Sequence, residues 1–185
     1  MAKSVRRIVT GHDPEGTAVV VKDGKIDSVT RTAGVASALL WVTDETPADI
    51  SANKDRAERT IGVPPPINGS ILRVVDFPPV QGEIKVDNAA FTSEMGLGTQ
   101  TRRKGKYTDH PFMHRTKSID YAIVLEGEID MLLDDSKIHL KAGDILVQQG
   151  TNHAWVNTGK TTCRIAFVLI GANEPAVLKG ADGAH

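Results

Sequence analysis

Apolar side chains along this chain come in short runs or alternate with polar ones, and Gly, Asp, Asn and Pro separate the runs. A period of two with such punctuation is how β-strands and their turns are written. The pattern predicts strands at Arg6 to Thr10, Thr17 to Lys22, Ala38 to Val42, Ser70 to Phe77, Ala122 to Leu125, Glu128 to Leu133, Lys137 to Leu140, Asp144 to Gln148, His153 to Asn157 and Arg164 to Ile170. Strands this short and numerous predict a sandwich or barrel. Asp134-Asp135-Ser136 reads as a hairpin turn, because Asp tolerates the tight backbone and bonds neighbouring amides. Helix is scarce: Ser51 to Thr60 is predicted as one short solvated helix with Ser51 as its N-cap. Pro64-Pro65-Pro66 then forms a stiff connector into the strand at Ser70, and from Gln81 to His110 the pattern weakens.

A length of 185 residues fits one core, and 40% hydrophobic with 24% charged residues is enough to fold without staples. The balance of 22 basic against 23 acidic side chains argues against nucleic acid or an anionic membrane as partner. No apolar stretch near the start is long enough for a signal peptide, and Ile165 to Ile170 falls far short of the ~18 residues of a membrane span. The single Cys163 allows neither an internal disulfide nor a thiolate zinc cluster and reads as a buried, inert thiol. A cytoplasmic location is the expectation, and the Asn68-Gly69-Ser70 glycosylation triplet then carries no meaning. Neither Gly96-Leu97-Gly98 nor Gly159-Lys160-Thr161 completes a phosphate-binding loop. The charge run Arg102-Arg103-Lys104-Gly105-Lys106 reads as a solvated loop, with contact to an anionic substrate at a pocket mouth as the sharper reading.

Reactive side chains are densest in Met113-His114-Arg115-Thr116-Lys117-Ser118-Ile119-Asp120-Tyr121. In an extended segment His114, Thr116 and Asp120 share one parity and face one way, with Arg115, Lys117 and Tyr121 on the other face unless the chain bends. Further on, Gln149-Gly150-Thr151-Asn152-His153-Ala154-Trp155 places a second histidine between a Gly turn and a strand. Two imidazoles and a carboxylate can therefore meet. An imidazole with pKa near ~6.5 exchanges protons at neutral pH when a carboxylate holds its tautomer. His114, His153 and Asp120 are thus the candidate catalytic groups, with His139 expected to be exposed and His110 a substitute at the mouth. Met113, Met131, Trp155 and Phe167 read as core or pocket wall.

At these residues the chain resembles the cupin superfamily. Its first motif is Gly, five residues, His-x-His, three or four residues, Glu, six residues, Gly. Counting back from Gly127 puts Asp120 on the Glu position and His114 and Thr116 on the two histidine positions, so threonine replaces one histidine. The second motif, Gly, five residues, Pro-x-Gly, two residues, His, three residues, Asn, is matched by Gly143, Gly150, His153 and Asn157, one residue short and with Gln148 where proline is usual. The resemblance covers Ser70 to Gly171 and is strongest from His114 to Asn157.

The resemblance implies a mainly β chain folded as a double-stranded β-helix, a jelly roll opening at one end onto a pocket. Residues 69–171 would form the barrel, 1–68 an N-terminal β extension and connector packing on the barrel or on a partner subunit, and 172–185 a tail. It also implies His114, Asp120 and His153 as ligands of one divalent metal, Fe, Mn, Zn or Ni, with a metal-free site as the alternative. Beside the resemblance, the residues themselves make Thr116 and Trp155 contacts of a small organic substrate, expected to carry a carboxylate, and Arg115 or Tyr121 would bind a carboxylate or phenolate only if local twist turned it inward. The implied activity is that of a lyase or isomerase, with decarboxylation, dehydration or isomerisation as reactions. A non-catalytic metabolite-binding barrel and a metal-dependent oxygenase are the alternatives, and pairing through sheet edges would make a homodimer.

Overall fold

The computed structural model describes residues 3–31, 34–51, 54–82, 86–97 and 104–178. Its strands are β1 (Val5–His12), β2 (Ala18–Ile26), β3 (Val29–Thr30), β4 (Ala36–Thr43), β5 (Ser70–Phe77), β6 (Ser118–Glu126), β7 (Glu128–Leu132), β8 (Lys137–Lys141), β9 (Ile145–Gln149), β10 (Ala154–Val156) and β11 (Cys163–Gly171). Helix α1 (Asn88–Glu94) lies between β5 and β6. A large sheet runs β3-β4-β5-β11-β6-β9, a small one β10-β7-β8, and β1 pairs with β2 in a separate ribbon. Each of these pairings is antiparallel.

The main core lies between the two larger sheets, as in a jelly roll. Ile71 and Val75 of β5, Val124 of β6 and Ile165, Phe167 and Leu169 of β11 meet Ile129 and Met131 of β7, Leu140 of β8 and Trp155 of β10. Strand alternation assigns these positions: β11 buries every second residue from Cys163 to Leu169. In β4 the register slips between Leu39 and Trp41. One extra residue reverses facing, so Val42 joins the main core while Ala38 and Leu40 line the opposite face of the sheet. There Ala38, Leu40 and Val74 meet Val5 and Ile26, and the β1-β2 ribbon covers the back of the large sheet.

The segment expected to be helical takes another form. Residues 54–60 form turns and bends, and ion pairs govern their path. Arg7 reaches from β1 to buried Asp55, and Arg59 and Arg56 both pair with Asp44. Asp49 accepts from Ser51 N–H at 2.9 Å, a local turn bond with no helix to cap. Weak helix propensity yields to these contacts. Helix forms instead at α1, where the Asp87 side chain accepts from Ala89 N–H. Strand β6 starts at Ser118, four residues before the apolar run predicted, because its first inward positions are the polar Ser118 and Asp120. The β7–β8 turn is where Asp134-Asp135-Ser136 places it, closed by Leu133 N–H donating to the Ser136 carbonyl at 2.8 Å.

Candidate active site

His114 and His153 are brought together by backbone geometry. Outside the named strands they form an isolated antiparallel bridge. His114 N–H donates to the His153 carbonyl at 2.9 Å and His153 N–H returns the bond at 2.8 Å. Residues that exchange both bonds across an antiparallel pair present their side chains on the same face. The rings accordingly lie side by side, centroids 4.4 Å apart and planes inclined at 49°. Gly150 makes the turn that delivers His153. Its φ is +57°, and a Cβ there would stand 3.1 Å from the Thr116 carbonyl.

Both rings are buried, and their Nδ1 atoms are engaged away from the cavity. His114 Nδ1–H donates to the Phe112 carbonyl at 2.8 Å. His153 Nδ1 lies 2.8 Å from Gln148 Nε2 and 3.0 Å from the Thr151 carbonyl. Nε2 is therefore the nitrogen each ring offers for chemistry. Burial lowers the pKa of His114, and burial followed by the neighbouring His114 lowers that of His153 to about 3. At neutral pH both imidazoles are uncharged.

Asp120 stands on the inner face of β6, and burial raises its pKa to about 6 against the opposing effects of Ser118 and Arg73. Ser118 Oγ lies 2.6 Å from Asp120 Oδ1 and 2.7 Å from Thr116 Oγ1, linking the two predicted positions. His114, Thr116, Asp120, His153 and Trp155 all line one cavity of about 110 Å³. Its wall is otherwise mostly apolar, with Trp155 and Phe167 in edge-to-face contact at 5.5 Å. Phe91 of α1 meets His114 edge-on at 5.7 Å, and Asn88 fixes that helix by donating to the Pro111 and Met113 carbonyls.

Two predicted substrate contacts lie elsewhere. Arg115 pairs with Glu174 at 2.7 Å and borders a separate cleft beside Gly150. Tyr121 is 38% exposed on the outer face of β6. No bend turns either inward, so strand parity prevails. His110 accepts from Phe112 N–H at 3.2 Å and is not part of the cavity wall. His139 is half-exposed beside Asp130, and buried Cys163 has its thiol pushed up to about 11. Of the charge run, Lys104, Gly105 and Lys106 do not border the cavity, and residues 98–103 and His185 lie outside the described residues.

The site also contains groups the motif search passed over: Ser118, Gln148 as a contact of His153, and two arginines, Arg31 and Arg73, on the cavity wall. Arg73 had a visible signal, a charge at inward parity between Ile71 and Val75. Arg31 had none.

A family model of the Cupin domain matches residues 98–170. Phomopsin biosynthesis cluster protein C' of Diaporthe leptostromiformis is 33% identical over 96% of this chain and 84% of its own length. The chain belongs to the cupin superfamily. Two other relatives are named cupin-domain-containing oxidoreductases. FogC of Aspergillus ruber is 31% identical over 92% of this cupin and 74% of its own length. SrdD of Neurospora crassa is 29% identical over 96% and 81%.

The metal set implied by the cupin motifs does not assemble: among the described residues no three of His, Cys, Asp and Glu come close enough to share an ion. Threonine occupies the second histidine position, and Asp120 is engaged by Ser118. A His-His-carboxylate centre does not fit this arrangement, so the chemistry is derived from the side chains themselves.

Proposed function

We propose that this cupin is an enzyme of secondary metabolism that moves a proton on a small, largely apolar organic substrate held inside the barrel. Isomerisation, dehydration and decarboxylation are the reactions of that kind. The observation that carries the reading is the pair of uncharged, buried imidazoles sharing an apolar cavity with a carboxyl of raised pKa. Asp120, with its pKa near 6, exchanges the proton, since transfer is most efficient when pKa and working pH are close. His153, neutral over the physiological range, donates from Nε2 to the oxygen on which charge develops, as a preorganised uncharged donor. In that tautomer Nδ1 accepts from the Gln148 amide 2.8 Å away, while the Thr151 carbonyl 3.0 Å from the same nitrogen favours the other tautomer. His114 presents Nε2 as an acceptor because its Nδ1–H is held by the Phe112 carbonyl. Trp155 and Phe167 wall the substrate from water.

The setting in secondary metabolism is supported by relatives named for biosynthesis clusters. A second reading, oxidoreductase, is favoured by the names of other relatives and requires a partner to take up electrons. Metabolite profiling of a deletion strain, complemented with wild type or with His153→Gln, separates the readings. The proposal expects the H153Q strain to accumulate the same precursor as the deletion. That precursor would differ from the product by nothing, by water or by carbon dioxide. A difference of two hydrogen atoms, or of oxygen without the hydrogens of water, establishes the oxidoreductase, and full complementation by H153Q refutes catalysis at this pair.

A further inference from the structure

Arg73 rises from the middle of β5 on the inner face, between Ile71 and Val75, and is 5% exposed. Its guanidinium donates from Nη2 to the Gly62 carbonyl at 2.6 Å, while its Nε is buried without a partner. Arg31, in the connection between β3 and β4, borders the same cavity, and its Nε is buried without a partner too. Among the described residues neither arginine has an ion-pair partner. The pairs formed by arginine involve Arg6, Arg7, Arg56, Arg59, Arg115 and Arg164. The two cations also feel each other, since after burial Arg31 is the largest influence lowering the Arg73 pKa, to about 10.

Two like charges withdrawn from water beside an apolar wall, with N–H groups unused, are costly in the free protein. A planar anion removes that cost, because a carboxylate accepts parallel charge-assisted bonds from guanidinium groups. The acids nearby do not serve. Asp120 attracts Arg73 through space but bonds Ser118 and makes no ion pair with either arginine, and Glu94, also on the wall, makes an interaction of its own. We propose that Arg31 and Arg73 form an anion seat in the cavity and that the substrate is a small carboxylic acid with an apolar remainder. The seat takes the role that the sequence pattern assigned to Arg115 and Tyr121.

Register supports the geometry. Arg73 lies opposite Phe167 of β11, and Asp120 of β6 lies opposite Leu169 of the same strand. The two side chains thus share the inner face with one strand between them, about 12 Å apart at the backbone from two strand spacings across and two residues along. A carboxylate on the arginines places the carbon next to it toward Asp120 and the imidazoles, where the proposed proton transfer occurs. This inference rests on the proton-transfer reading for the choice of substrate, but its test reads equilibrium binding alone.

Calorimetric titration with benzoate, phenylacetate and hexanoate, each against its neutral amide, is the experiment. Wild type is expected to bind at least one acid and not the matching amide. Arg31→Gln and Arg73→Met are each expected to weaken that acid by about tenfold or more, the scale of one charged hydrogen bond. Should Arg73→Met fail to fold, the half-buried Arg31 carries the test alone. Equal affinity for acid and amide, unchanged affinity in Arg31→Gln, or no binding of any acid overturns the seat. Loss of turnover in H153Q with carboxylate binding unaffected by the arginines leaves the proton-transfer reading standing without it.

Discussion

Asp120→Asn should make the protein markedly more sensitive to acid, because Asp120 and His153 act on stability in opposite directions. An unfolded histidine of pKa 6.5 takes up a proton as pH falls from 7 to 5, whereas folded His153, held at about 3, takes up almost none. The stability His153 contributes is complete above 6.5 and is lost as pH falls toward 3, by about 2 kcal/mol between pH 7 and 5. Asp120 has the reverse sign. Its folded pKa of about 6 exceeds the unfolded 3.8, so the folded chain binds the extra proton and gains about 1 kcal/mol over the same interval. His114, also lowered, adds to the loss. From Asp120 and His153 together, wild type should lose under about 1 kcal/mol and Asp120→Asn about 2 kcal/mol. Asparagine keeps the shape of aspartate and can still accept from Ser118. Urea unfolding of both proteins at pH 7 and pH 5 measures the difference. Equal acid losses would show that Asp120 does not take up its proton in this range and would refute the charge assignment.

Arg7→Ala leaves buried Asp55 with the Ala57 N–H and the longer Lys22 pair at 3.5 Å, and should cost about 2 kcal/mol in urea unfolding. The Arg7 bond depresses Asp55 to about 2, so the stability this pair contributes is present above 3.8 and lost as pH falls through 2. Gly150→Ala meets both a left-handed backbone and the Thr116 carbonyl, and should cost about 1 to 3 kcal/mol in urea unfolding while weakening ligand binding by displacing His153. Asn157 donates to the Phe77 and Thr161 carbonyls and accepts from Gly159 N–H. Asn157→Leu should therefore lower the melting temperature by an amount corresponding to about 2 kcal/mol or more.

Strand positions were legible where one face is buried and the period of two survives, as in β4 and β11, whereas β3, exposed at both residues, went unpredicted. The parity argument also placed His114, Thr116 and Asp120 inward, and the same parity included Ser118, whose small hydroxyl gave no sign of linking its neighbours. The meeting of His114 with His153 followed from two motifs 39 positions apart, and the backbone bridge is what realises it. Other features were hidden because long-range contacts decide them. The helix expected near Ser51 gave way to ion pairs with Asp44 and Asp49, partners that periodicity cannot reveal. Arg31 reaches the cavity from a connection outside the family motifs, and only folding brings it beside Arg73.

The account depends on His114 and His153 remaining uncharged side by side in one cavity, and side-chain ¹⁵N chemical shifts followed from pH 8 to pH 5 test this directly. His153 should keep neutral-imidazole shifts throughout and His114 should protonate only below the ordinary histidine range, while exposed His139, whose pKa is raised chiefly by its bond to Asp130, becomes protonated as an internal control. Conversion of either ring to imidazolium with a midpoint near the ordinary histidine value of ~6.5 would contradict the account.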